Sequence, residues 1–126
     1  MENSNISYSI RRSKRARRNH YLKHKNQALE LATNRVNFFN NIYKFNFNKI
    51  NIRNQKTRWG SCSTRGNLNF NYKILFLSEK ARDYIIIHEI CHLKQFNHSK
   101  KFWNLVGLGL PDYVEARKEI KLNGGK

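Results

Sequence analysis

The stretch HEICHLKQFNH at residues 88–98 constrains the fold most strongly, because it holds three of the five histidines of the chain. His88 and His92 are four residues apart, so an α-helix places them about 40° apart and about 6 Å along its axis. Both imidazoles can then face one metal ion, while the carboxylate of Glu89 can reach a water molecule without binding the metal. This is the pattern H-E-x-x-H, and it predicts a helix with a metal-binding face.

The third histidine, His98, can reach the same metal only if the helix ends before it. In a continued helix, His98 would lie about 240° around the axis from His92, on the wrong side. Asn97 tolerates the left-handed conformation that ends helices, and Ser99 is a good N-cap for a following helix. The sequence therefore predicts a sharp turn at 97–99 that brings His98 back. Three imidazoles and a water molecule form a typical catalytic zinc site with an open position.

Other interpretations of these residues remain open at this stage. The histidines could be ordinary core or surface groups, and Cys62 or Cys91 could complete a closed structural zinc site. Cys91 is more simply a small buried hydrophobe, and in a reducing compartment both cysteines are expected as free thiols. Glu115 could serve as a carboxylate ligand in place of His98.

The chemistry of the predicted site is that of a metal-dependent hydrolase. One zinc ion lowers the pKa of its water towards about 7 and polarises a substrate carbonyl. Glu89 then accepts a proton from the water as general base and passes it to the leaving group.

The charge of the chain points to a polyanionic partner. The 126 residues suffice for one domain and carry a formal net charge of +17, which attracts nucleic acids. Six cations fall within RRSKRARR at 11–18, which has no apolar periodicity and is predicted to be an irregular basic arm. These predicted nucleic-acid contacts are Arg11, Arg12, Lys14, Arg15, Arg17 and Arg18. The alternative is a solvated tail without a binding role.

The apolar periodicity predicts an α+β fold. Apolar residues at helical spacing predict a helix from Tyr21 to Tyr43, and alternating patterns predict strands within 49–55, 57–62 and 67–73. These strands are expected to form a short antiparallel sheet with a hairpin between 62 and 67. A helix is predicted from Glu79 to Phe96, followed by short C-terminal helices. The chain is thus divided into an arm at 1–20 and a domain at 21–122.

With these motifs in place, the sequence resembles the YgjP-like metallopeptidases, which are related to SprT-like and Spartan-type proteases. The matching segments are RWGSCSTRGNLNFNYKILFLS (58–78), DYIIIHEICHLKQFNHSKKFW (83–103) and LPDY (110–113). The paired signature of W-G-S-C and H-E-x-x-H-x5-H-S-x-x-F-W is far more specific than H-E-x-x-H alone. The chain departs from longer family members after SIRRSKRARR, where their β-rich segment is missing.

The resemblance implies a small zincin-like fold with His88, His92 and His98 as zinc ligands and Glu89 as general base. It also implies a substrate cleft flanked by a strand that can pair with an extended peptide. The residues of this strand are Trp59, Gly60, Ser61 and Cys62.

The predicted function is therefore a zinc metallopeptidase that acts on proteins or peptides, including substrates near nucleic acid. Two alternatives are a zinc-dependent nucleotide phosphoanhydride hydrolase and a non-catalytic basic nucleic-acid-binding module with structural zinc. The sequence has no apolar run that could cross a membrane and no secretory signal, so an intracellular, cytoplasmic protein is expected. The sequence does not reveal the oligomeric state, and a monomer is favoured.

Overall fold

The structure is a computed structural model that describes residues 2–122, with side chains from residue 13 onward. The described chain forms four α-helices, three β-strands and one 3-10 helix. In chain order they are α1 (Glu2–Tyr43), β1 (Lys49–Arg53), β2 (Gly60–Cys62), β3 (Asn67–Asn71), the 3-10 helix (Tyr72–Phe76), α2 (Glu79–His92), α3 (Lys100–Gly109) and α4 (Tyr113–Leu122). This architecture confirms the predicted α+β class.

The sheet is mixed, so the prediction of an antiparallel sheet was wrong. Its strand order is β1-β3-β2, with β1 parallel to β3 and β2 antiparallel to β3. The hairpin between β2 and β3 is present, and Gly66 takes a φ of 83° in its turn. The alternation of apolar and polar residues along a strand reveals which residues are buried but not which strand lies beside it. In this sheet, β3 takes the central position between β1 and β2.

Helix α1 begins at Glu2, so the helix starts well before the predicted Tyr21 and the segment 11–18 is not irregular. The side chains of residues 13–20 are exposed, and Arg17 donates a hydrogen bond to Ser13 Oγ one turn earlier. An exposed helix needs no apolar stripe, and Arg, Lys and Ala all have high helix propensity. The division into an arm at 1–20 and a domain at 21–122 stays a prediction.

Helix α2 lies at the centre of the molecule, packed against α1, α3, α4 and β2. Ile86, Ile87 and Ile90 have no exposed surface, and each buried side chain of this size contributes about 1.5–3 kcal/mol. Arg35 of α1 makes a bidentate ion pair with Asp83 of α2, at 2.9 and 3.1 Å. The helix that carries the H-E-x-x-H pattern is therefore firmly packed against the rest of the fold.

Candidate active site

Helix α2 ends at His92, four residues earlier than predicted, and the chain stays non-helical until Ser99. Ser99 is the N-cap of α3, as predicted, and its side chain accepts a hydrogen bond from the Phe102 amide. Asn97 does not adopt a left-handed conformation, since Lys44 is the one non-glycine residue with positive φ in the described chain. The seven-residue connection, rather than a left-handed residue at 97, returns His98 to the face of α2.

The three histidines meet at one point of the structure. One ring nitrogen from each of His88, His92 and His98 lies within 4.8 Å of the others, and the Nε2 atoms of His92 and His98 are 3.0 Å apart. Two nitrogens bound to one tetrahedral zinc ion at about 2.0–2.1 Å lie about 3.3 Å apart. The donor set and the separation of the His92 and His98 nitrogens therefore fit a single divalent metal ion.

The tautomer of His92 is fixed by a main-chain carbonyl. Its Nδ1–H donates a hydrogen bond of 2.9 Å to the carbonyl of Gln95, which leaves the Nε2 lone pair facing the site. Carbonyl groups commonly orient metal-ligating histidines in this way. Sequence reasoning missed this contact, because a carbonyl is present at every residue and has no signature of its own.

The pKa values of two histidines favour the neutral form that metal binding requires. Burial lowers the pKa of His92 below 6.5, although the hydrogen bond to Gln95 opposes this shift. Burial also lowers the pKa of His98, with further lowering by His88 and His92. Neutral imidazoles near pH 7 keep their lone pairs available for a cation.

The alternative ligands do not join the cluster. Among the described residues, the group that could hold a metal consists of the three histidines alone. Cys91 lies in the core with its thiol pKa raised to about 12 by burial, and Glu115 is an exposed partner of Lys80. Cys62 lies near the site, but its thiol pKa is raised to about 11 by burial and by the charge of Glu89.

Glu89 is 5% exposed and lies between His88 and strand β2. Its Oε2 accepts a hydrogen bond of 3.1 Å from His88 Nδ1–H. A Cβ atom at Gly60 would lie 3.0 Å from Glu89 Cγ and 3.1 Å from Oε2. The absence of a side chain at Gly60 therefore creates the space that the carboxylate occupies.

A cleft of about 500 Å³ opens above the three imidazoles and Glu89. One wall contains the four residues that the resemblance implied, Trp59, Gly60, Ser61 and Cys62. The lining also includes five residues that sequence reasoning did not assign to the site: Tyr84, Ile85, Phe96, Trp103 and Arg117. Trp103 and Tyr84 both lie in the segment 83–103 that carries the family resemblance, whereas no sequence signal marked Arg117.

Tyr84 of α2 is a buried tyrosine in the lining of the cleft. Its ring lies 5.6 Å from that of His88, and burial raises the pKa of its hydroxyl to about 12, although the charge of Arg117 counteracts this shift. The hydroxyl therefore stays protonated near neutral pH and can donate a hydrogen bond within the cleft.

Asn71 supports the loop that forms one rim of the cleft. Its side-chain amide donates hydrogen bonds of 2.9 Å to the carbonyls of Gln55 and Arg58, and its main-chain amide donates to the carbonyl of Trp59. Asn71 is 4% exposed, and it is one of two buried polar residues in the described chain. The position of Trp59 thus depends on a side chain that looked like an ordinary strand residue.

Four of the six predicted nucleic-acid contacts have described side chains, and none of the four lines this cleft. The side chains of Lys14, Arg15, Arg17 and Arg18 are exposed on α1, whereas those of Arg11 and Arg12 lie outside the described residues. None of the helices within residues 2–122 combines the length and apolar content that a membrane span requires.

Comparisons with known proteins agree with this geometry. The family model described as "YgjP-like, metallopeptidase domain" matches residues 2–123. Two similar solved structures are the metallopeptidase zymogens abylysin of Pyrococcus abyssi and jannalysin of Methanocaldococcus jannaschii. Each has a TM-score of 0.63 and 25% identity over 73% of this chain, and the matches cover 90% and 95% of those chains. No curated protein sequence matches the chain.

Proposed function

Because the chain belongs to the YgjP-like metallopeptidase family, we propose that it hydrolyses peptide bonds with one zinc ion held by His88, His92 and His98. Glu89 is the general base of this proposal. The family membership favours peptide hydrolysis over a nucleotide phosphoanhydride hydrolase and over a non-catalytic module.

The observation that carries the proposal is the buried carboxylate of Glu89 beside three clustered imidazoles at the base of an open cleft. The ion, when bound, supplies Lewis acidity that polarises the scissile carbonyl and acidifies a water molecule. Glu89 Oε2 accepts the proton from that water and delivers it to the leaving amine. The hydrogen bond from His88 holds the carboxylate in place for both transfers.

Strand β2 supports substrate binding in an extended conformation. It pairs with β3 along one side only, so its other side is an edge of the sheet that borders the cleft. A peptide that adds to this edge gains main-chain hydrogen bonds from Gly60–Cys62, and its scissile bond then lies above Glu89.

The test is the variant Glu89→Gln, which keeps the shape of the side chain and removes its basicity. We expect metal analysis to find one zinc ion per chain in both proteins, because Glu89 is not a ligand. We expect cleavage of an unstructured protein substrate to fall by at least about a hundredfold, the lower range for general-base catalysis. Cleavage at the wild-type rate by this variant would contradict the proposed role of Glu89.

A second candidate property is binding to nucleic acid through α1. Lys14, Arg15, Arg17 and Arg18 are all exposed on this helix, so their charges are available to phosphate groups. Replacing the four with Gln is expected to weaken binding to duplex DNA and to flatten its dependence on salt. Equal affinity and an equal salt slope for the variant and the wild type would remove α1 from the proposed interface.

A further inference from the structure

Arg117 of α4 brings a positive charge into the cleft. Its guanidinium lies over the ring of Trp103, 4.7 Å from the ring centroid, and Trp103 in turn stacks on Tyr113 at 5.3 Å with an interplanar angle of 16°. Stacking of this kind holds the planar guanidinium in one orientation, while the edges that carry its hydrogen-bond donors stay available.

None of the ion pairs in the described part of the chain involves Arg117. Among the residues of 13–122 that line the cleft, Glu89 is the one acidic side chain. Glu89 is buried and already accepts a hydrogen bond from His88. Among the described residues, the charge of Arg117 is therefore not neutralised by a carboxylate, and the lining of the cleft holds two arginines, Arg58 and Arg117, and one carboxylate.

Arg35 provides a comparison within the same molecule. Its guanidinium also lies over aromatic rings, those of Phe38 and Phe39, at 4.6 and 4.9 Å. Unlike Arg117, however, it makes two hydrogen bonds to the carboxylate of Asp83. Arg117 thus has the aromatic contact that Arg35 has, without the carboxylate that completes the arrangement.

Arg117 lies close to the candidate metal ligands, where a substrate would be cleaved. The ring of Trp103 lies 5.9 Å from that of His98 and 6.3 Å from that of His88, so a single aromatic ring separates the guanidinium from the candidate metal ligands. An anionic group bound by Arg117 would therefore belong to the part of a peptide that lies close to the scissile bond.

Building on the proposed peptidase function, we propose that Arg117 is a specificity-determining residue that binds a carboxylate of the substrate. A guanidinium matches a carboxylate with two parallel hydrogen bonds, and stacking on Trp103 has already restricted its motion before the substrate arrives. The carboxylate is either an Asp or Glu side chain near the scissile bond or the C-terminal carboxylate of a short peptide.

The first experiment measures binding, so that it does not depend on turnover. The zinc-loaded Glu89→Gln protein is titrated into fluorescently labelled peptides, and anisotropy gives the dissociation constants. One set moves a single Glu along a neutral peptide, with Gln at the same position as the matched control. The other set compares a free C-terminal carboxylate with its amide. We expect one set to show at least about tenfold tighter binding of the carboxylate form, as for a hydrogen bond to a charged group.

The second experiment assigns this preference to Arg117. In the same background, Arg117→Gln is expected to reduce the ratio of the two dissociation constants to less than about twofold, and Arg117→Lys to retain part of it. Lys118→Gln removes the same charge from the next residue, which does not line the cleft, and should leave the ratio unchanged. An unchanged ratio in Arg117→Gln, or no carboxylate preference in the parent protein, would overturn the assignment.

Cleavage by the wild-type protein then separates this assignment from the proposed function. If the peptides bind with a preference that depends on Arg117 but none is cleaved, the peptidase proposal fails and the carboxylate subsite stands. If they are cleaved with equal kcat/KM for carboxylate and amide forms, the subsite fails and the peptidase proposal stands.

Discussion

Two histidine pairs with the same spacing lie on two helices of this protein, and their surroundings differ. His20 and His24 on α1 have ring centroids 4.4 Å apart, and His88 and His92 on α2 have ring centroids 4.7 Å apart. The spacing of four residues therefore produces a similar ring separation in both places. The rest of the chain decides which pair becomes a candidate metal site.

On α2, the pair gains a third donor and an ordered environment. His98 returns from the α2–α3 connection and brings its Nε2 to 3.0 Å from that of His92. The carbonyl of Gln95 fixes the His92 tautomer, and Glu89 accepts a hydrogen bond from His88 Nδ1–H. Each of these contacts comes from a residue in the segment 88–98.

On α1, the ring nitrogens are used differently. His24 Nδ1–H donates to the main-chain carbonyl of His20, and His20 Nδ1 is hydrogen-bonded to the hydroxyl of Tyr72 at 2.8 Å. Within the described residues, no third metal-binding side chain joins this pair. Phe76 packs against both rings, at 5.5 and 5.3 Å. This pair connects α1 to the 3-10 helix. A spacing of four residues between two histidines is therefore not sufficient to create a metal site.

The largest expected effect tests this contrast directly. His92→Ala removes one of three donors and is expected to lower the zinc content from about one ion per chain to near zero, with loss of cleavage. The measurement is elemental analysis after dialysis against a metal-buffered solution. His24→Ala is the matched control and is expected to keep its full zinc content. Equal zinc loss in both variants would contradict the assignment of the site to α2.

The next effect concerns the position of Glu89 rather than the metal. Gly60→Ala places a Cβ 3.0 Å from Glu89 Cγ and 3.1 Å from the Asn69 carbonyl, so the carboxylate must move. A shift of a few tenths of an ångström relieves contacts of this length, and because a misplacement of about 1 Å can cost about a hundredfold in turnover, we expect kcat to fall by about three- to tenfold while zinc content stays constant.

The control for this variant is Gly107→Ala in α3. A Cβ at Gly107 meets Tyr113 at an ordinary distance of 3.7 Å, and alanine favours a helix more than glycine does. We expect normal kcat and slightly higher stability. A Gly60→Ala enzyme with wild-type kcat would show that Glu89 tolerates displacement and would weaken its proposed role.

The third prediction uses the pKa values of the metal-free protein. Because the folded protein lowers the pKa of His92 and His98, the unfolded chain binds protons more readily than the folded chain as the pH falls through about 6.5. The free energy of unfolding should therefore decrease between pH 7.5 and 5, as measured by urea denaturation. The decrease should be smaller in His98→Gln. An identical pH dependence in both proteins would contradict the prediction.

The sequence predicted local features of this site better than its spatial arrangement. The helix that carries H-E-x-x-H and the N-cap at Ser99 depend on residue type and spacing, and the structure contains both. The parallel pairing of β1 and β3 depends on contacts between distant segments, which alternation cannot reveal. Arg117 lies in the cleft because α4 packs on α2, and nothing near position 117 indicates that contact.

The smallest expected effect tests whether the histidine pair on α1, His20 and His24, stabilises the fold. Tyr72→Phe removes the hydroxyl that is hydrogen-bonded to His20 and is expected to lower the free energy of unfolding by about 0.5–1.5 kcal/mol. In the double variant with His20→Gln, the two losses should not add, because both remove the same bond. Zinc content and cleavage should remain at the wild-type level. Fully additive losses would show that the contact between His20 and Tyr72 does not stabilise the fold. The pair on α1 would then have no structural role through this contact.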